Sequence, residues 1–222
     1  MGEMIKVTGS DGFAFGAYHA TPTGTRHGGV IVLQEIFGID EHVRRDVERW
    51  ADLGFEAIAP SLFDRREPGF SAGHDAEGMT AGVGHARATP LDQAMGDIAA
   101  CRDALTSAGK VFVVGYCYGG SLAWLAAAKV PGLSGASSYY GSLVKDNAAL
   151  KPMCPVIVHL GRKDAMIPAD EVKAAVKAAN PDVPVYIYDD AGHGFNNEDP
   201  ERHALGAAEL ARERTLTLFA EA

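Results

Sequence analysis

The chain reads as an α/β protein built on a mainly parallel sheet with helices on both faces. Two observations carry that reading. The runs Val30–Leu33, Val111–Val114 and Val156–Leu160 are nearly apolar throughout instead of alternating, as expected of strands buried on both faces. Helical patterns lie between these runs, so the connections are crossovers and not hairpins. A third feature is local: the strand pattern ending at Tyr116 breaks into a glycine-flanked bend before the next helix. In open parallel sheets, reactive groups gather beyond the carboxyl ends of the strands.

Near the start, "IKVTG" and "AFGAYHA" predict two strands around a turn at Ser10-Asp11-Gly12. Val30–Leu33 follows as a buried strand. Asp40 can cap a helix that puts Val43, Val47 and Trp50 on one face and stops at Gly54. "EAIAP" is a short strand ending at Pro60. Residues 61–89 are rich in Gly, Arg, Asp and His and weakly periodic, which predicts a long functional loop. Residues 91–108 predict a helix with Leu91, Met95, Ile98 and Leu105 inward. The strand 111–116 and a helix from Tyr118 come next. Further strands are expected at 136–140, 156–160 and 185–188, and helices at 169–179 and 201–219.

The 222 residues suffice for one domain, expected over 1–222. A net charge of −9 excludes nucleic acid as the expected partner, since phosphate binding needs a basic surface. The N-terminus lacks the apolar core of a signal peptide, and no apolar run approaches a membrane span. Cys101, Cys117 and Cys154 are an odd number in no metal-type spacing, which predicts free thiols in a reducing compartment and no metal site. A cytoplasmic, monomeric protein without a cofactor is expected.

Gly115-Tyr116-Cys117-Tyr118-Gly119 fits the G-x-nucleophile-x-G elbow, with cysteine in the place of serine. The bend lifts the sulfur above the sheet, and glycines remove clashes that bulkier residues would make. It also points the N–H of Tyr118 and the helix N-terminus at a developing oxyanion. An elbow needs an acid and then a histidine further along the chain. Asp164 lies just past the strand "PVIVHL", and His193 lies between glycines past "VYIY". Asp189 and Asp190 are rivals to Asp164, though they adjoin the histidine's own loop. In "VLQEIFG" the N–H of Ile36 is the expected second oxyanion donor. Glu35 beside it reads either as a surface glutamate or as a carboxylate that influences the thiol.

"QEIFG", "GYCYGG", "GRKDAMIP" and "AGHGF", with "ERTLTLF" near the end, make the chain resemble the dienelactone hydrolase family of α/β-hydrolases over nearly its whole length. The resemblance implies an α/β-hydrolase fold without a large lid domain. It implies cleavage of enol lactones such as dienelactone, which yields maleylacetate in chloroaromatic breakdown. It makes Cys117 the nucleophile, His193 the base and Asp164 its orienter. It makes Glu35 the glutamate that contacts the resting thiol, and it puts Phe37 at the substrate.

Two positions depart from the family. Asn197 stands where the dienelactone enzymes carry an arginine that holds the substrate carboxylate. Near the second family arginine stands Met79, with Arg87 the closest arginine; Arg65, Arg66 and Arg202 are the other candidates for a substitute. Anionic dienelactone is therefore expected to be cleaved weakly relative to neutral activated esters. A thiolate also leaves well, so enol lactones, aryl esters and thioesters are favoured over alkyl esters. The alternatives are an esterase or thioesterase with another acyl substrate, or a non-catalytic protein with Cys117 as a redox-sensing thiol.

Overall fold

The computed structural model describes residues 2–222. Its strands are β1 Glu3–Thr8, β2 Ala14–Ala20, β3 Gly28–Leu33, β4 Phe55–Pro60, β5 Val111–Tyr116, β6 Gly135–Tyr139, β7 Val156–Gly161 and β8 Val185–Tyr188. The helices are α1 Glu41–Asp52, α2 Ala76–Ala88, α3 Leu91–Ala104, α4 Tyr118–Lys129, α5 Ala169–Ala179 and α6 Leu205–Glu221. The strands follow the order β1-β2-β4-β3-β5-β6-β7-β8. The chain divides into two compact units, Met1–Val113 and Val114–Ala222, with the boundary inside β5.

In the first unit β1 and β2 pair antiparallel, β2 pairs antiparallel with β4, and β3 pairs parallel with β4. Every residue of β3 and β4 is buried. Because neighbouring strand residues point to opposite faces, both faces of these strands are covered. Helix α1 begins as its sequence dictates: Asp40 Oδ1 accepts from Val43 N at 2.9 Å. Val43, Val47 and Trp50 are buried on one face, and the chain turns at Gly54 with φ +91°. Helix α3 buries Met95 and Ile98, but Leu91 in its first turn is 37% exposed.

The segment 61–89 is not the long loop expected. It contains the 13-residue helix α2, capped by Asp75 through Gly78 N at 2.8 Å. Its periodicity is hidden because two of its inward positions are glycines. A Cβ at Gly78 would stand 1.9 Å from the carbonyl oxygen of Gly73, and one at Gly82 would stand 2.2 Å from that of Ile36. Backbone contact, not apolar side chains, seats this helix.

In the second unit β6, β7 and β8 pair in parallel, and α4 packs against β6, α5 against β8, and α6 against β6 and β7. All five residues of β6 and all six of β7 are buried. A polar cluster lies in this core. Thr215 Oγ1 sits within 2.8–3.1 Å of Ser137 Oγ, the Tyr139 hydroxyl and His159 Nε2. Burial drives the His159 pKa down to about 3, so its ring is neutral and serves as a core hydrogen-bonding group. The last helix begins at Leu205 rather than 201, because Arg202 N and His203 N turn back onto the Asp199 carbonyl.

Candidate active site

The end of β5 passes directly into α4 through Cys117, whose φ of 54° and ψ of −110° lie outside the usual regions for a side-chain-bearing residue. Such a conformation costs about 1–3 kcal/mol and persists only where its surroundings impose it. Cys117 N donates to the Tyr139 carbonyl at 3.0 Å, and the Cys117 carbonyl accepts from Ser121 N at 3.0 Å. Two glycines let the backbones close in. A Cβ at Gly115 would stand 2.0 Å from the Gly119 carbonyl oxygen, and one at Gly120 would stand 2.1 Å from that of Tyr139. The bend leaves the thiol partly exposed and places Tyr118 in the first turn of α4. The N–H groups of that turn have no helical acceptor and carry the positive end of the helix dipole.

The other two groups come from the loops after β7 and β8. These loops are stitched together: Arg162 N donates to the Tyr188 carbonyl at 3.0 Å, and Lys163 N to that of Ala191 at 2.8 Å. Gly161 permits the approach, since a Cβ there would stand 2.5 Å from the Ala191 oxygen. Phe195 is fully buried against Tyr139, Tyr140 and Tyr188 and anchors the second loop. His193 Nδ1 then lies 2.7 Å from Asp164 Oδ2, and His193 Nε2 lies 3.1 Å from Cys117 Sγ. Asp164 is itself fixed, because its Oδ1 accepts from Met166 N at 2.8 Å and Ile167 N at 3.1 Å.

Burial by itself pushes the His193 pKa down. The hydrogen bonds to Asp164 and Cys117 and the charges of both partners outweigh it, and the pKa rises to about 10. The sign of the stability linkage follows. The favourable contribution of protonated His193 is fully present below about pH 6.5, its unfolded pKa, and is lost as pH rises through about 10. An NMR titration of the imidazole is expected to give a midpoint near 10 in the wild type and a lower one in Cys117→Ala. A wild-type midpoint near 6.5 would show that Asp164 and the sulfur do not hold this proton.

The rivals to Asp164 are engaged elsewhere. Asp189 pairs with Arg162 at 2.6 Å and Asp190 with Lys163 at 2.9 Å, both at the surface. Of the other two thiols, burial pushes that of Cys154 up to about 11 and that of Cys101 higher still.

The remaining expected site residues divide by unit. Glu35, Ile36 and Phe37 follow β3 and are all buried. Gln34 holds their segment, with its Nε2 donating to the Glu35 carbonyl and its Oε1 accepting from Leu62 N. Phe37 stacks on His74 with ring centroids 4.1 Å apart, and Ala72 N donates to the Phe37 carbonyl. Arg87 is exposed in the last turn of α2. Arg65 is committed to Asp11 and Asp97, each at 2.7 Å. In the second unit, Asn197 is buried in the turn after His193, where its Oδ1 accepts from Asp199 N at 3.1 Å. Arg202 lies along that same loop: its Cδ is 3.4 Å from where a Cβ on Gly194 would stand.

Comparison with known proteins identifies the family. The Dienelactone hydrolase family matches residues 15–222. The chain belongs to the dienelactone hydrolase family. It is 32% identical to carboxymethylenebutenolidases of Pseudomonas putida and of Pseudomonas knackmussii, in each case over 98% of this chain and 96% of the relative. The solved structure of a Klebsiella pneumoniae protein, provisionally assigned as a dienelactone hydrolase, matches with a TM-score of 0.88 at 29% identity. That match covers 100% of this chain and 99% of the other. The expected α/β-hydrolase fold with its mainly parallel sheet is thereby shown.

Proposed function

We propose that this protein hydrolyses enol lactones of the dienelactone type and related activated carboxylic esters through an acyl-enzyme on Cys117. The observation that carries the proposal is the unbroken contact chain from Cys117 Sγ through His193 to Asp164, at 3.1 and 2.7 Å. The sulfur, its proton held by His193, attacks the acyl carbon. The electron pair of the carbonyl moves onto oxygen, which the N–H groups of Tyr118 and Ile36 receive. The C–O bond breaks and His193 gives its proton to the leaving oxygen. Water then attacks the thioester, His193 takes a proton from it, and the sulfur leaves as the acid forms. The sum consumes only ester and water, so no cofactor enters.

Glu35 is assigned to tuning the thiol, and Phe37, Asn197 and Arg87 to the substrate. The family match spans both units, which supports residues 1–222 acting as one hydrolase domain. No helix among the described residues is long and apolar enough to cross a membrane. A monomer working in the cytoplasm on a small-molecule substrate completes the reading.

The charge requirement of the substrate is testable on one residue. Asn197 is uncharged and tied into its turn, whereas Arg202 runs its Cδ along Gly194 and pairs its Nε with Asp199 at 3.7 Å, which makes it the cation on the histidine loop. Cis- and trans-dienelactone, p-nitrophenyl acetate and an acyl thioester are to be compared on the wild type and Arg202→Gln. Neutral activated esters are expected to be the better wild-type substrates. Arg202→Gln is expected to lower kcat/KM for dienelactone by about tenfold, through KM, and to leave p-nitrophenyl acetate unchanged. Dienelactone turnover indifferent to Arg202→Gln would assign the carboxylate to another cation, and no turnover of any ester or thioester would overturn the hydrolase reading.

A further inference from the structure

Tyr140 follows directly on β6, and its backbone leaves the strand there with φ +38°. For a bulky side chain this left-handed region is a genuine outlier, whereas a glycine would occupy it without strain. Contacts on either side hold it. The Tyr139 carbonyl accepts from Cys117 N at 3.0 Å, and Tyr140 N donates to the His159 carbonyl at 2.8 Å. Gly141 then presses on α4, where a Cβ would stand 2.6 Å from Ser121 N. Consecutive strand residues point to opposite faces. Here Tyr139 and Tyr140 both meet the ring of Phe195, with centroids 6.1 and 5.2 Å away, because the backbone turns at Tyr140.

The turn brings the Tyr140 ring to the catalytic histidine. Its centroid lies 5.1 Å from that of the His193 imidazole, at an interplanar angle of 60°, and Phe195 is two residues further along the same loop. Tyr140 is fully buried, whereas the His193 side chain is 19% exposed. The tyrosine therefore backs the imidazole from the interior and does not reach a bound ester. We propose that Tyr140 is a positioning residue for His193, whose ring fills the space into which the imidazole could swing and so keeps Nε2 on Cys117 Sγ and Nδ1 on Asp164. The inference rests on the hydrolase reading and deepens it. Residues 139 and 140 then serve both halves of the chemistry. The first fixes the nucleophile through its backbone, and the second fixes the base through its ring. Strained residues persist only where the surroundings over-determine them, and they cluster where geometry matters to the reaction. A displacement of about 1 Å among reacting groups can cost about 100-fold in rate.

The experiment compares the wild type with Tyr140→Phe, Tyr140→Leu and Tyr140→Gly on p-nitrophenyl acetate and titrates His193 by NMR in each. In Tyr140→Leu, kcat is expected to fall about tenfold or more with KM within about twofold, since the base and not the ester is displaced. The His193 midpoint is expected to fall as well. Asp164, Cys117 and Tyr140 are titratable groups in contact with the imidazole, and an imidazole that swings loses the first two, which hold its proton. Phenylalanine keeps the ring and is expected to restore both readings. Tyr140→Gly makes the same comparison, with the backbone strain relieved, if the leucine variant does not fold. In the wild type, nuclear Overhauser contacts between the Tyr140 ring and the His193 imidazole are expected, and their absence overturns the proposal without any variant. A midpoint unmoved by leucine or glycine, or failure of both variants to fold, makes Tyr140 a structural residue and overturns it. A loss confined to KM, or a phenylalanine variant as impaired as leucine, overturns it too, by moving the role to the substrate or to the hydroxyl. Wild-type protein that cleaves no ester overturns the hydrolase reading, while the Overhauser contacts and the titration still judge the placement of His193.

Discussion

Cys117→Ala is expected to reduce ester hydrolysis by about 10⁴-fold or more, whereas Cys101→Ala and Cys154→Ala retain most activity. Only Cys117 meets an imidazole, 3.1 Å from His193 Nε2, and only it occupies the bend. The thiols of Cys101 and Cys154 are held protonated by burial, so neither can replace it as a nucleophile. The alanine variant should fold. Its strained backbone is imposed by the Tyr139 and Ser121 hydrogen bonds and by the close approaches at Gly115 and Gly120, none of which involve the sulfur. Burst and steady-state release of p-nitrophenolate from p-nitrophenyl acetate measure the effect. Wild-type turnover in Cys117→Ala would remove the nucleophile assignment altogether.

Asp164→Asn is expected to cost about 10³–10⁴-fold in kcat at unchanged fold, and the hydrogen bonds dictate why. Asp164 Oδ1 accepts from two backbone donors, Met166 N and Ile167 N. In the asparagine variant the side-chain oxygen must stay with those donors, which turns the amide N–H toward His193 Nδ1. That nitrogen then has to accept, so the single proton of the neutral ring sits on Nε2, facing Sγ. Such a ring cannot take the thiol proton. Losing Asp164 also removes the leading cause that raises the His193 pKa, so its NMR titration should move down from about 10. The pH profile therefore changes along with the rate, which a merely structural defect would not produce. Activity within about threefold of wild type would make Asp164 dispensable and reopen the part of Asp189 or Asp190.

The candidate site was legible where local chemistry repeats a known logic. A thiol between glycines, after an apolar strand and before a helix, has few explanations other than presentation. An acid and a histidine beyond later strands complete the arrangement that the structure brings to 3.1 and 2.7 Å. What stayed illegible depends on partners distant in sequence. Gly161 looks like the ordinary end of a strand until the Ala191 carbonyl arrives 2.5 Å from its missing Cβ. Asp164, Asp189 and Asp190 are chemically equivalent in the sequence. Arg162 and Lys163 tie two of them to the surface and so separate them.

The sequence by itself determined the α/β sheet, its buried strands, the cap at Asp40 and the order of thiol, acid and histidine. Each of these is encoded by spacing and residue type within a few positions, where strand and helix periodicity and turn chemistry act. Tertiary structure alone decided that 76–88 forms a helix, because Gly78 and Gly82 earn their places by backbone approach and leave no apolar stripe to read. It alone committed Arg65 to Asp11 and Asp97 and set Arg202 along the histidine loop, paired with Asp199. It alone buried Asn196 with its amide unpaired. Burial and hydrogen-bond satisfaction are sums over neighbours that the fold assembles, so no local pattern announces them.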